Sequence, residues 1–391
     1  MKKVFIVSAK RTPVGGFLGS LSILTSVQLG SIAIRDIYQS LNLDPGAIDS
    51  VYMGNVLSAG LGQSPARQAS LSAGIHLAAD CTTINKVCAF GLKAVIIGAQ
   101  QIQLGLEAIA LTGGMESLSN APHYISYRGG RKPGDAEVVD GLLKDGLTDA
   151  FDGYHMSNAA ELCAKECNIS RNEQDEYALE SYSRAEKATS EGKFNREIIP
   201  IAFTHKSSEV IFKHNEDTGR IIPENVANLS AVFDEQGTIT AANASNLNDG
   251  EAAVLLASKE AVQKHALEPL AKIISYADAA QAPEWFTTSP SIAIPKALKQ
   301  ADLTKDGIDF FEINEAYAAV AIANQRLLKL RNDKVNPYGG AIALGHPLGA
   351  SGARILCTLL SVLKQEGGRY GVAAICKGGG GASAMVVENL N

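Results

Sequence analysis

AICKGGGGASA, residues 374–384, answers an earlier stretch, ALTGGMES, residues 110–117, and that correspondence makes the chain read as two copies of one α/β unit. Each is an apolar, β-rich run that meets glycine, which places Gly114 and Gly378 at similar strand ends. A second pair of landmarks keeps the same order: AIDSVYMGNV (47–56) answers GIDFFEINEA (307–316), and Asn55 to Cys88 spans nearly the same distance as Asn314 to His346. Cys88 opens a helix after its strand, and His346 precedes one at the corresponding place. A two-fold arrangement of the copies brings these strand ends toward a shared site holding Cys88, Asn314, His346 and Cys376. A glycine run at a strand end lets something approach the backbone, but phosphate cradles carry no cysteine at their mouth, so Cys376 needs its own explanation.

Working outward, short β-rich runs alternate with helical patterns: VFIVSA, a helix over 27–41, DSVYMG, PARQASLSAG, TTINKVC, AFGLKAVIIGAQQIQLG and AIALTGG. This alternation predicts a sheet covered by helices on both faces. From roughly Glu251 the order returns with AAVLLAS, AKIISYA, IDFFEINEA, ARILCTLLSVLKQ and VAAICKGGGG. Between the copies, about 119–250, charge and turn residues dominate (YRGGRKPGD, KDGLTDAFDG, HKSSEV, HNEDTGR), with helices expected near 159–167 and 173–192. Such an insertion is expected over an active site. The division expected is 1–118 plus 251–268 as the N-terminal half, 119–250 as a loop domain and 269–391 as the C-terminal half.

With 391 residues the chain exceeds one ordinary core, and 35 Lys+Arg against 41 Asp+Glu leave a net charge of -6. No global positive field exists to hold nucleic acid or an anionic membrane, so neither partner is expected. The six cysteines are sparse and show no zinc spacing, the N-terminus lacks signal-peptide or transit-peptide character, and no apolar run approaches the ~20 residues of a membrane span. A cytoplasmic location is expected.

NKVCAFGLKA (85–94) puts Cys88 where a strand gives way to a helix, whose N-terminus favours the thiolate and is expected to lower its pKa below about 8.5. An isolated cysteine is more often a small buried apolar residue, but the paired landmark reverses those odds. GGAIALGHPLGASGARI (339–355) surrounds His346 with glycines and Pro347, a turn no core histidine needs, which makes it a candidate base for Cys88. In EINEAYAAV (312–320) Asn314 is read at even odds as a helix N-cap or as an amide that orients a water. His155, beside Met156, is a candidate pocket-lining residue, and the Cys163–Cys167 pair reads as packing.

Taken together, NKVCAFGLKA, LTGGMES, TAANASNLNDG, NEAYA, GGAIALGHPLGASGARI and CKGGGGASA resemble the thiolase family over essentially the whole chain and in order. DGLTDAFDGYHM, SRNEQDEYAL, TAANAS and GGGGASAM look most like its short-chain acetoacetyl-CoA members. The resemblance implies an α/β fold with duplicated halves stacked as a five-layer αβαβα core, a loop domain over the site and a homotetramer built as a dimer of dimers. It implies acetyl-CoA C-acetyltransferase activity on acetyl-CoA, acetoacetyl-CoA and CoA, with coenzyme A thioesters as substrates and no permanently bound cofactor. By the same resemblance Cys88 is the nucleophile, His346 takes its proton and Cys376 is the second acid/base that works on the methyl group of the second acetyl-CoA. Gly378 N–H with Cys88 N–H forms one oxyanion hole, and Asn314, through a water, with His346 forms the other. Leu147, His155, Met156, Ser245 and Phe286 line the thioester and pantetheine path, and Arg220 lies near the nucleotide. A potassium loop is implied at Ala241, Ala242, Ala244 and Ile342.

The chain departs from the pattern at Phe90, where serine is usual and a bulky ring is expected to reshape the helix start or a neighbouring dimer surface. Lys377 replaces an apolar or amide residue, and Ser157 replaces a glycine. Asn225 and Thr218 replace the mitochondrial lysine and potassium-linked tyrosine, which weakens the potassium expectation. A broad-range degradative 3-ketoacyl-CoA thiolase and a non-catalytic acyl-CoA-binding relative are the alternatives. A ketosynthase would lack Cys376.

Overall fold

We describe the protein from a computed structural model covering residues 2–130, 133–205 and 208–390; YRGGRKPGD and HKSSEV therefore each include two residues, 131–132 and 206–207, outside the described set. The first copy runs β1 (Val4–Arg11), α1 (Ser26–Ser40), β2 (Ser50–Gly54), α2 (Pro65–Ala73), β3 (Asp80–Ile84), α3 (Phe90–Leu104) and β4 (Ile109–Ser117). The insertion follows, with helices α4 (Met156–Glu166) and α5 (Arg171–Ser190), and the chain returns in β5 (Asn248–Ser258). The second copy is β6 (Ala271–Ala280), α6 (Pro290–Ala301), β7 (Phe310–Ile313), α7 (Ala318–Leu328), α8 (Ser351–Glu366), β8 (Tyr370–Lys377) and β9 (Gly381–Asn389).

These strands form one sheet in the order β7-β8-β9-β6-β1-β5-β4-β2-β3. Within it the duplication is explicit. β2 is parallel to β4 as β7 is to β8, β4 is antiparallel to β5 as β8 is to β9, and β5 is antiparallel to β1 as β9 is to β6. The partner of β3 in the second copy shrinks to a parallel bridge between Phe311 and Val335. The two half-sheets join where Val4 to Ile6 of β1 pairs with Ala271 to Ile273 of β6.

This topology agrees with the division that puts 251–268 in the first half, and revises only the reading that the repeat order resumes at Glu251. AAVLLAS is the last strand of the first copy, paired to β1 and β4, and AKIISYA opens the second. β8 and β9 are joined by a three-residue glycine turn, whereas the equivalent β4 and β5 are separated by the whole insertion. A fully buried apolar strand carries no periodicity to say which neighbour it takes.

Three apolar clusters define the layers. One packs α1 and α2 (Ile34, Ile37, Ala66, Ala69) on the first half-sheet, and one packs α6 (Ile294, Ala297, Leu298) on the second. The third places α3 and α8 (Leu92, Ile96, Leu356, Leu359) between the half-sheets, against Val254 on one side and Met385 on the other. The order is αβαβα. Buried on both faces, α3 is apolar nearly all round, and 87–104 has a mean hydropathy of 1.4 over 18 residues, long and apolar enough to cross a membrane by composition alone. The expectation that no such run exists is thereby corrected; here the run is the central layer.

α3 and α8 cross at reciprocal glycines. A Cβ on Gly91 would lie 2.5 Å from Ala353 N, and one on Gly352 would lie 2.4 Å from Leu92 N. The N-termini of both helices, with Cys88 before one and His346 before the other, are thus held at the same end of the central layer.

Candidate active site

A cavity of about 1060 Å³ opens at that end. Cys88, His346 and Gly378 line it, together with Leu147, His155, Met156, Ser245 and Phe286, and the insertion supplies the larger share of the wall. Cys376, Asn314 and Arg220 are not in the lining.

Cys88 follows Val87, whose φ of 50° is a strained, left-handed conformation for a β-branched residue. The turn closes through Ala89 N–H to the Lys86 carbonyl (3.3 Å) and Phe90 N–H to the Val87 carbonyl (3.3 Å), and the helix begins at Phe90. Burial pushes the thiol up to about 11; the Gly378 N–H, the residue's own N–H and the Lys377 charge act against it, and Glu116 adds to the rise. The expected net lowering at a helix start is therefore corrected: desolvation outweighs it in the free enzyme. Phe90 is fully buried among Val56, Leu57, Leu118, Leu142 and Leu348, so its ring braces the loops under the cavity.

His346 is buried, with its Nδ1 2.6 Å from Ser351 Oγ, and Ser351 Oγ also lies 2.9 Å from the Pro347 carbonyl. The serine has one proton and the carbonyl can only accept, so Ser351 donates to Pro347 and accepts from Nδ1–H. That fixes the tautomer and leaves Nε2 with a lone pair and no protein partner among the described residues. Burial, then the Arg354 charge, lowers the imidazole to about 3, so it is neutral. Sequence reading passed over Ser351, although its place five residues after His346 in GHPLGAS was visible.

Glu116, at the end of β4, was also missed. Its buried carboxylate accepts from Asn55 Nδ2 (3.0 Å), Val56 N–H (3.0 Å), Leu57 N–H (3.3 Å) and Gly349 N–H (3.0 Å), tying the turn after β2 to the His346 turn. Burial raises it to about 7 against those backbone donors.

Cys376 is buried among Met156, Phe286, Ala316 and Tyr317, and burial followed by the neighbouring Cys88 raises its thiol well above the ordinary value. Asn314 ends β7 by donating its N–H to the Ala374 carbonyl (3.0 Å), but α7 begins four residues later with Tyr317 at its cap. The N-cap reading is overturned: both amide atoms of Asn314 are buried without a protein partner among the described residues. The glycine run is a hairpin turn in which Gly379 (φ 76°) and Gly380 (φ 79°) need left-handed backbone, while Gly378 turns toward Met156 and Val87.

In the insertion, His155 caps α4 and its ring stacks on Phe233 at 4.1 Å. Ser157 Oγ lies 3.0 Å from both His155 Nδ1 and Tyr317 OH, so the residue that replaces glycine ties the pocket wall to α7. Arg220 is not with this group. It pairs with Glu216 (2.8 Å) and Asp217 (2.7 Å) beside a separate, smaller cavity lined by Tyr182, Ala242 and Asn246. Of the four residues expected in a potassium loop, Ala241 lines both of these cavities. Ala244 lines the main cavity and Ala242 the smaller one, and the Ile342 carbonyl accepts from Asn246 Nδ2 at 3.3 Å. No cluster of three His, Cys, Asp or Glu suited to a metal occurs among the described residues.

The family pattern "Thiolase, N-terminal domain" matches residues 4–260 and "Thiolase, C-terminal domain" matches residues 267–389. Acetyl-CoA acetyltransferase from Schizosaccharomyces pombe is 50% identical over 391 residues, covering 99% of both chains. Acetyl-CoA acetyltransferase ERG10, cytosolic, from Gibberella zeae is 51% identical, covering 99% of this chain and 98% of that one. The crystal structure of Acat5 thiolase from Ascaris suum in complex with coenzyme A superposes with a TM-score of 0.95 at 45% identity, covering both chains fully. With both halves matched in order across the same duplicated core, this chain belongs to the thiolase family.

Proposed function

We propose that the protein is an acetyl-CoA C-acetyltransferase that joins two acetyl-CoA reversibly into acetoacetyl-CoA and CoA. The observation that carries this reading is the neutral His346, its Nε2 lone pair free, on the wall of the cavity that holds Cys88 and Gly378. Cys88 Sγ attacks the thioester carbonyl as His346 Nε2 takes the thiol proton; the carbon–sulfur bond to CoA breaks, and the proton leaves on the CoA thiol. The carbonyl oxygen, negative in the intermediate, is met by Gly378 and Cys88 N–H.

The second half-reaction falls to Cys376. Its thiol proton passes to the free Nε2 of His346, the thiolate then removes a methyl proton from the second acetyl-CoA, and the enolate, stabilised by Asn314 and the now protonated His346, attacks the acetyl group on Cys88. The new carbon–carbon bond displaces Cys88 as thiolate, which regains the proton held on His346, so the cycle closes with no net proton change. The raised thiol of Cys376 suits a group that holds its proton until a substrate is in place.

A cytosolic location belongs to the proposal, supported by the name of the Gibberella zeae relative. So does a homotetramer, within which the edge that β3 leaves on the sheet supports one pairwise contact. Intact-protein mass spectrometry after mixing with acetyl-CoA tests the reading. One acetyl group should appear, map to Cys88 and vanish in Cys88→Ala; a protein that binds acetyl-CoA without gaining mass would be a binder.

A further inference from the structure

Lys377 has no role in the steps above, yet its surroundings are unusual for a lysine. It ends β8 directly after Cys376, and because side chains alternate along a strand it leaves the face that Cys376 occupies. Half-buried, it lines the same cavity as Cys88. Its Nζ donates to the Gly378 carbonyl at 3.1 Å. Among the described residues no carboxylate lies within ion-pair distance of that ammonium, whereas nearby Lys86 and Lys93 both pair with Asp278, at 2.5 and 2.6 Å. The glycine turn makes room for the folded-back side chain: a Cβ on Gly381 would lie 2.7 Å from Lys377 Cε, and one on Gly379 would lie 3.6 Å from Nζ.

Resting on the reading of Cys88 as nucleophile, we propose that Lys377 is a positioning residue that pins Gly378 through its carbonyl and holds an uncompensated positive charge beside the Cys88 thiolate. The groups that face or adjoin Cys88 are the Lys377 cation, Lys86, which is bridged to Cys88 along the backbone and pairs with Asp278, the Glu116 carboxyl, the Cys376 thiol, the Tyr317 phenol and neutral His346. Lys377 is the one of these cations without a carboxylate partner among the described residues, and its charge acts to lower the Cys88 thiol while Glu116 acts to raise it. A charge left unpaired in a partly desolvated pocket acts on its neighbour more strongly than one already neutralised by a carboxylate.

The test is the rate at which iodoacetamide alkylates Cys88, followed by peptide mass spectrometry from pH 7 to 10, in wild type, Lys377→Gln and Lys377→Arg. In K377Q, Cys88 should react about three- to tenfold more slowly at each pH below its midpoint, a rise of roughly half to one pH unit in the thiol. K377R, which keeps the charge, should recover most of that loss. Equal profiles for wild type and K377Q, with equal thermal midpoints, would overturn the proposal, and so would a K377R profile as slow as that of K377Q. A failure of wild type to take an acetyl group on Cys88 is a separate result. It would remove the nucleophile assignment and leave the alkylation comparison standing.

Discussion

At the scale of single residues, the chemistry depends on where desolvation is tolerated. His346 is buried without an anionic partner, and that keeps it a neutral base instead of an imidazolium. Its folded pKa lies below the unfolded value of about 6.5, so the unfolded chain binds the extra proton first. The contribution is intact above pH 6.5 and is lost as the pH falls toward 3, at about 1.4 kcal/mol for each pH unit. Thermal midpoints measured from pH 7.5 down to 4.5 should therefore fall more steeply in wild type than in His346→Gln; parallel curves would show that the imidazole charges freely in the fold. The sequence made Cys88, His346 and Cys376 legible because each interrupts its surroundings, in a strand-to-helix turn, a glycine-proline turn and a strand end. It could not show that burial would raise Cys88, nor that Arg220 would be neutralised by Glu216 and Asp217, since both depend on neighbours far along the chain or on side-chain direction.

At the scale of elements, the crossing of α3 and α8 sets the site. Gly352 reads in sequence as part of the permissive turn after His346, but both it and Gly91 are helical and serve close approach. Gly352→Val places branched carbons where a Cβ alone would meet Leu92 N at 2.4 Å. The helices must part or the side chain must strain, which costs roughly 1 to 3 kcal/mol of stability. Because Cys88 and His346 stand at the ends of these two helices, acetyl transfer should fall in the same variant, and a calorimetric scan beside an activity assay checks both. Normal activity with a lowered midpoint would separate the crossing from the site. The duplication itself was legible, since paired landmarks survive on either half. The division at 251–268 fell on the right side of the seam, but the strand partners of β5 were not legible, because its run over 252–257 is apolar on both faces and the insertion separates it from β4.

At the scale of the whole molecule, two half-sheets share one central helical layer, and the insertion roofs the end where the two copies' loops meet. The duplicated frame explains why one reaction uses groups from both halves. In the proposed reaction the first copy offers the acyl carrier at Cys88, and the second offers the proton carriers at His346 and Cys376. The same division predicts that the half-reactions separate. The decisive measurement is isotope exchange between CoA and acetyl-CoA, taken alongside net acetoacetyl-CoA formation, in a Cys376→Ala variant of unchanged oligomer size and thermal midpoint. Exchange, which needs Cys88 and His346, should persist near the wild-type rate, while condensation should fall by about 10² to 10⁴, the usual cost of losing a positioned acid/base. Loss of exchange with condensation retained would reverse the roles of the two cysteines and contradict the account.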